Sequence, residues 1–129
     1  MEATFSLPKA DLPFSATFLS ISPTATFSAI VGNAQSVVAG TTMTLATFTI
    51  VNSGSYISGF QCSGDTDGVY AIYLNGILSM RVTANIIDPN PLVPFPNQWP
   101  LSIGTTISIQ VTNTGDSTAN YTAVTFGSF

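Results

Sequence analysis

The chain has no histidine, a single cysteine and only two cations, Lys9 and Arg81, in 129 residues. Each shortage removes a class of chemistry. Without histidine, neither a Ser-His-Asp nor a Cys-His arrangement can form. Cys62 alone gives no intrachain disulfide and no cysteine-rich metal site. It has no base or cation beside it in sequence and reads as a small buried apolar residue. Lys9 lies in a proline-punctuated stretch with nothing to bury it, which makes it a poor Schiff-base lysine. Two cations cannot neutralise a run of phosphates, so no nucleic-acid partner is expected, and no polybasic membrane patch exists. The expectation is a protein that is not an enzyme and carries no cofactor and no metal.

Charge of either sign is scarce. Charged residues make up 6% of the chain, against about 25% in ordinary soluble proteins. Net charge is −4, from Glu2, Asp11, Asp65, Asp67, Asp88 and Asp116 against the two cations. Apolar residues reach 45% and mean hydropathy is +0.42, enough for burial to drive folding. Ser and Thr, about a quarter of the chain, stand where Lys and Glu normally would. Two explanations compete: other subunits cover this surface, or it is a Thr-rich β-protein surface facing harsh surroundings. The length suits one domain. No apolar run is long enough to span a membrane, and Met1-Glu2-Ala3 opens with neither a basic region nor an apolar core. No membrane partner, no signal peptide and synthesis in a cytoplasm are therefore expected.

What the sequence does contain is strand pattern, clearest between Asp67 and Asn85. Two apolar runs, Val69–Leu74 and Ile77–Ala84, flank Asn75-Gly76. Both turn residues tolerate positive φ, so the stretch predicts a β-hairpin with a two-residue type I′ turn. In the second strand, Leu78, Met80 and Val82 fall on one side and Ser79, Arg81 and Thr83 on the other. Arg81 is placed to pair with Asp65 or Asp67, or to make a directional subunit contact.

Elsewhere the same periodicity recurs. Residues 1–22 alternate loosely, with Phe5, Leu7, Phe14 and Phe18 between prolines that interrupt any continuous central strand. They read as an extended arm, either an edge strand of its own domain or an arm lying on a neighbouring subunit. Residues 23–129 form the β-sandwich domain. Ala25–Val31 and Ser36–Val38 flank Gly32-Asn33 as a turn; Thr42–Val51 is a long strand; Tyr56–Cys62 is a short one, with Gly59 as a bulge. Asp88–Pro100 carries five prolines and reads as an irregular extended insert. Its Phe95 and Trp99 either cap one open end of the sandwich or form a docking loop. In Thr106–Thr112, Ile107, Ile109 and Val111 face one way; in Ala119–Phe126, Tyr121, Ala123 and Thr125 share a face. The total is about seven or eight strands and no helical period, so the predicted class is an all-β, antiparallel, jelly-roll-like sandwich.

Asp65-Thr66-Asp67-Gly68 echoes the opening of a calcium loop but lacks the later acidic ligands, which leaves a plain Asx-type turn as the other reading. No pair of carboxylates is placed across a cleft as a glycosidase requires.

The order from Leu45 to Gly127 carries a resemblance. It comprises a long strand, Asp-Gly-Val-Tyr-Ala-Ile-Tyr-Leu-Asn-Gly, a Pro-rich excursion, Leu-x-Ile-Gly-Thr-Thr-Ile-x-Ile-x-Val-Thr-Asn-x-Gly and a closing Tyr-x-Ala-x-x-x-Gly strand. This resembles small jelly-roll-type β-sandwich proteins of tailed-phage virions, especially capsid decoration (cement) proteins. The resemblance implies a structural protein of the outer capsid surface, a homo-oligomer and most often a trimer, that bridges adjacent major capsid proteins through terminal arms. Phe5, Leu7, Phe14, Phe18, Phe95 and Trp99 are then the expected partner-binding residues. Fibre heads and carbohydrate-binding modules share this texture, with Trp99 and the tyrosines as stacking platforms in that alternative.

Overall fold

In the computed structural model, residues 26–129 are described. The expected arm over residues 1–22, with Phe5, Leu7, Phe14 and Phe18, lies outside them.

Among the described residues the alternation read from the sequence becomes eight strands: β1 (Phe27–Val37), β2 (Thr42–Thr49), β3 (Ser55–Gly64), β4 (Gly68–Leu74), β5 (Ile77–Ala84), β6 (Leu92–Leu101), β7 (Thr106–Asn113) and β8 (Ala119–Ser128). They form two four-stranded antiparallel sheets in the orders β1-β8-β3-β6 and β2-β7-β4-β5. Only the β4–β5 hairpin stays within one sheet; every other connection crosses to the opposite one. Eight strands wound this way make a jelly roll, the expected class.

Strict period two places the core. In β7 Ile107, Ile109 and Val111 are buried while Ser108, Gln110 and Thr112 stay half-exposed, and in β8 Tyr121, Ala123 and Thr125 point inward. Phe60, Ile57, Tyr70 and Ile72 meet them from β3 and β4. At the hairpin, Asn75 and Gly76 have φ of 51° and 80°, as a type I′ turn requires.

Three local expectations are corrected. Gly32-Asn33 is no turn: β1 runs through both residues, and Gly32 is needed for close packing. A Cβ there would stand 2.6 Å from the Leu45 carbonyl oxygen. The turn comes later, where the Thr41 N–H and hydroxyl both donate to the Val38 carbonyl at 3.0 and 2.6 Å. The Pro-rich insert is largely strand. Among the described residues β6 pairs only with β3, at the sheet edge, where proline's missing donor is tolerated. Its ladder breaks between Pro94, opposite Gly59, and Trp99, opposite Ile57, so Gly59 does mark an irregularity. Finally, Leu78 leaves the face of Met80 and Val82. Ile72 opposes Met80 but Tyr73 opposes Leu78, which makes Ser79 an extra residue and turns Leu78 outward, 44% exposed.

Two stability outcomes follow. Gly32→Ala should lower unfolding free energy by about 1–3 kcal/mol through overpacking against β2, measured by urea denaturation. Thr125 is fully buried, and its hydroxyl finds no partner among the described residues. Thr125→Val, which removes that unsatisfied group at nearly constant shape, should raise stability by about 1 kcal/mol in the same assay.

Candidate partner-binding surface

The two ends of the sandwich differ in chemistry. At one end lie the β1–β2, β3–β4, β5–β6 and β7–β8 connections, with Asp65, Asp67, Asp88 and Asp116, every carboxylate side chain among the described residues. Asp65 is committed locally: its carboxylate accepts the Asn120 N–H at 2.9 Å, and its own N–H donates to the Asn120 carbonyl at 3.0 Å. Beneath this loop, the Tyr70 and Tyr121 hydroxyls donate to the Ser63 and Asp67 carbonyls, each at 2.8 Å. A cavity of about 340 Å³ opens here between Asp65, Asp67, Asn85, Ile86 and Pro89. No group of three acidic, cysteine or histidine side chains able to hold a metal ion occurs among the described residues. Asn85 closes the β5–β6 loop, its side-chain oxygen accepting the Ile87 and Asp88 N–H groups at 2.9 and 3.1 Å. The closed loop pushes Ile86 and Ile87 into solvent, 91% and 90% exposed.

The opposite end carries no charged side chain among the described residues. The Ile50 N–H donates to the Thr105 carbonyl and the Gly104 N–H to the Ile50 carbonyl, each at 2.8 Å, which holds the β2–β3 loop to the β6–β7 loop; the Asn75 N–H donates to the Thr106 carbonyl at 2.9 Å. These neighbouring loops present Val51, Ile77 and Ile103, 61%, 70% and 54% exposed. The Phe129 N–H donates to the Thr26 carbonyl, so the first described residue also lies at this end.

Of the expected partner-binding residues, the structure describes Phe95 and Trp99. Their rings lie 4.5 Å apart between centroids, half-buried, packed against the core from β6. They cover the sandwich edge while keeping part of each ring in solvent. Of the tyrosines considered as stacking platforms, Tyr70 and Tyr121 are excluded because both are core residues; Tyr56 and Tyr73 keep partial exposure. The exposed Ile86–Ile87 tip was not anticipated from sequence. The doublet follows an apolar strand, and only the Asn85 turn shows that it lies beyond the strand's end.

Arg81 does not pair with Asp65 or Asp67, and it makes no ion pair among the described residues. It stands mid-strand in β5 directly across from Ala71, which is flanked on its other side by Gln110 of β7. With Tyr73, Thr42 and Thr112 these residues line a depression of about 380 Å³ on the outer face of the β2-β7-β4-β5 sheet.

Cys62 is 1% exposed. Burial, with the Asp88 charge adding to it, pushes its thiol from 9.0 up to about 12, the opposite of an activated nucleophile.

No protein-family model matches the chain, and comparison with curated proteins returns no relative. Among solved structures, the insecticidal delta-endotoxin Cry8Ea1 of Bacillus thuringiensis is similar at 12% identity and a TM-score of 0.48. The alignment covers 70% of this chain and 19% of the toxin chain. A likeness at that level carries nothing about activity.

The buried thiol and tyrosines set an alkaline limit. Above pH 9.0 an unfolded Cys62 loses its proton while the folded one keeps it to about 12, so the folded state binds more protons and stability falls as pH rises through that window. Tyr70 and Tyr121, both raised above 10.0 chiefly by burial, add to the fall at higher pH. Urea midpoints should be flat from pH 7 to 8.5 and drop between 9 and 10.5. The drop over the first unit should be smaller in Cys62→Ala.

Proposed function

We propose that this chain is a structural protein of a virion, a capsid decoration protein that oligomerises on the outside of a tailed-phage head and bridges adjacent major capsid subunits. The observation carrying this reading is the pair of apolar loop ends, Val51, Ile77 and Ile103 at one end and Ile86 and Ile87 at the other, on a chain with 6% charge. Such side chains gain roughly 1.5–3 kcal/mol each when a partner buries them, and a free monomer gains nothing from presenting them. Two apolar ends on one small rigid sandwich suit a bridge between neighbours. The jelly roll is a fold used by viral capsid and lectin domains, and the resemblance from Leu45 to Gly127 directs the choice to the virion. Residues 1–22, with Phe5, Leu7, Phe14 and Phe18, are assigned to the capsid contact, and Phe95 and Trp99 to its margin. Closed symmetry, most simply a trimer, lets one patch be covered in every subunit. Many copies on a lattice turn modest contacts into firm attachment.

The test is sedimentation of the full chain alone and with particles of the source phage stripped of it. A species larger than 13.5 kDa and co-sedimentation with the heads are expected. Ile86→Asp/Ile87→Asp and removal of residues 1–22 should each weaken co-sedimentation at least tenfold while far-UV circular dichroism stays that of a β-protein. A monomer that never joins the particle rules the reading out.

A further inference from the structure

Arg81 is the only cation among the described residues, and no described carboxylate answers its charge. The side-chain carboxylates of the described residues all lie in loops at one end. Along β4, the Asp67 position is four residues from Ala71, the residue opposite Arg81, or roughly 13 Å at strand spacing. No ion pair links Arg81 to any of these carboxylates. A single arginine on a sheet face whose other polar side chains are uncharged, with Val69, Ala71 and Tyr73 between them, is a feature in want of a counterpart.

Its surroundings suit a particular one. Across the sheet the row runs Gln110, Ala71, Arg81. Ala71, 9% exposed, is too short to fill its place, so the two long polar side chains stand on either side of a low floor. Two residues along β4 the half-exposed Tyr73 ring forms one wall. Towards the other end the Thr42 and Thr112 hydroxyls are joined at 2.7 Å, leaving that pair one free proton and several lone pairs to offer. The depression of about 380 Å³ falls within the range of small-ligand sites.

We propose that this depression is a binding site for a carboxylate-bearing sugar residue, a hexuronate or a sialic acid. The guanidinium fork takes the carboxylate through two parallel hydrogen bonds. The Gln110 amide, both donor and acceptor, and the Thr42–Thr112 pair read ring hydroxyls. The Tyr73 ring receives the apolar face of the pyranose. β4 and β7, which form the floor, are interior strands with their backbone groups spent on neighbours, and the nearest edge, β5, is broken by the extra Ser79, a poor template for an extended peptide. That favours a sugar ring over an acidic peptide. The site stands apart from the apolar ends assigned to capsid contact, and its occupation does not depend on that assignment.

The test uses the full chain, isotope-labelled, titrated with the methyl glycosides of glucuronic acid and N-acetylneuraminic acid, with methyl glucoside, acetate and a poly-glutamate peptide as comparisons. At least one acidic glycoside should shift the amide signals of Ala71, Tyr73 and Gln110 saturably, with methyl glucoside at least tenfold weaker. Arg81→Gln should weaken acidic-glycoside binding at least tenfold with unchanged spectral dispersion, Arg81→Lys should weaken it less, and Tyr73→Phe should retain it. Binding that survives Arg81→Gln, or acetate or the peptide binding as tightly as the glycosides, overturns the proposal. So does the absence of any shift at these residues with both acidic glycosides. None of these outcomes affects co-sedimentation with particles, which tests the capsid reading separately.

Discussion

The two sheets are joined through an aromatic contact that the rest of the structure arranges itself around. Tyr70 of β4 meets Tyr121 of β8 edge-on, with centroids 5.9 Å apart, and meets Phe60 of β3 in the same manner at 6.3 Å. Such pairs contribute about 0.5–1.5 kcal/mol beyond the area they bury. Buried phenols also need hydrogen-bond acceptors, and both find backbone carbonyls beside the β3–β4 loop. The core thereby fixes that loop from below. Gly64 and Gly68 flank it because a Cβ at either position would strike the Tyr121 ring. The Asp-Thr-Asp-Gly turn thus has its shape explained by tyrosines beneath it, with no need of an ion above.

The scarcity of charge gains meaning once the strands are placed. Outer sheet positions carry hydroxyl pairs such as Thr42 with Thr112 and, at 3.5 Å, Thr49 with Thr106, which support cross-strand pairing without charge. The acidic side chains of the described residues gather at one end, while the other presents Val51, Ile77 and Ile103. A molecule so divided has faces of different adhesive character, and Arg81 is the exception on the broad sheet face.

All four edge strands, β1, β2, β5 and β6, pair with their neighbours through a break in register. Bulges twist an edge away from a flat template, and the prolines of β6 remove donors as well. Uncontrolled edge-to-edge growth is discouraged on every side, which directs association towards side-chain contacts at the ends and faces. A nearly uncharged β-protein needs that protection more than most, because charge repulsion does little to keep its copies apart.

Local chemistry alone settled a good deal. Asn75-Gly76 dictated the hairpin, since few other pairs adopt two positive φ values cheaply. Strict alternation in Ile107–Val111 and Tyr121–Thr125 dictated which side chains enter the core, because a strand's faces repeat every two residues whatever its partner. The absence of histidine closed off the triads that need it, and a single cysteine closed off any intrachain disulfide. Pairing decided the remainder. Gly32 read as a turn because its real constraint, the Leu45 carbonyl, belongs to the next strand. The prolines of β6 read as an insert because nothing local shows that a strand will lie at an edge. Leu78 changed face through one extra residue in its ladder. Arg81, Ala71 and Gln110 became neighbours only when β5, β4 and β7 came into register: period two assigns a residue to a face, but the partner strand that completes a site is chosen by tertiary packing.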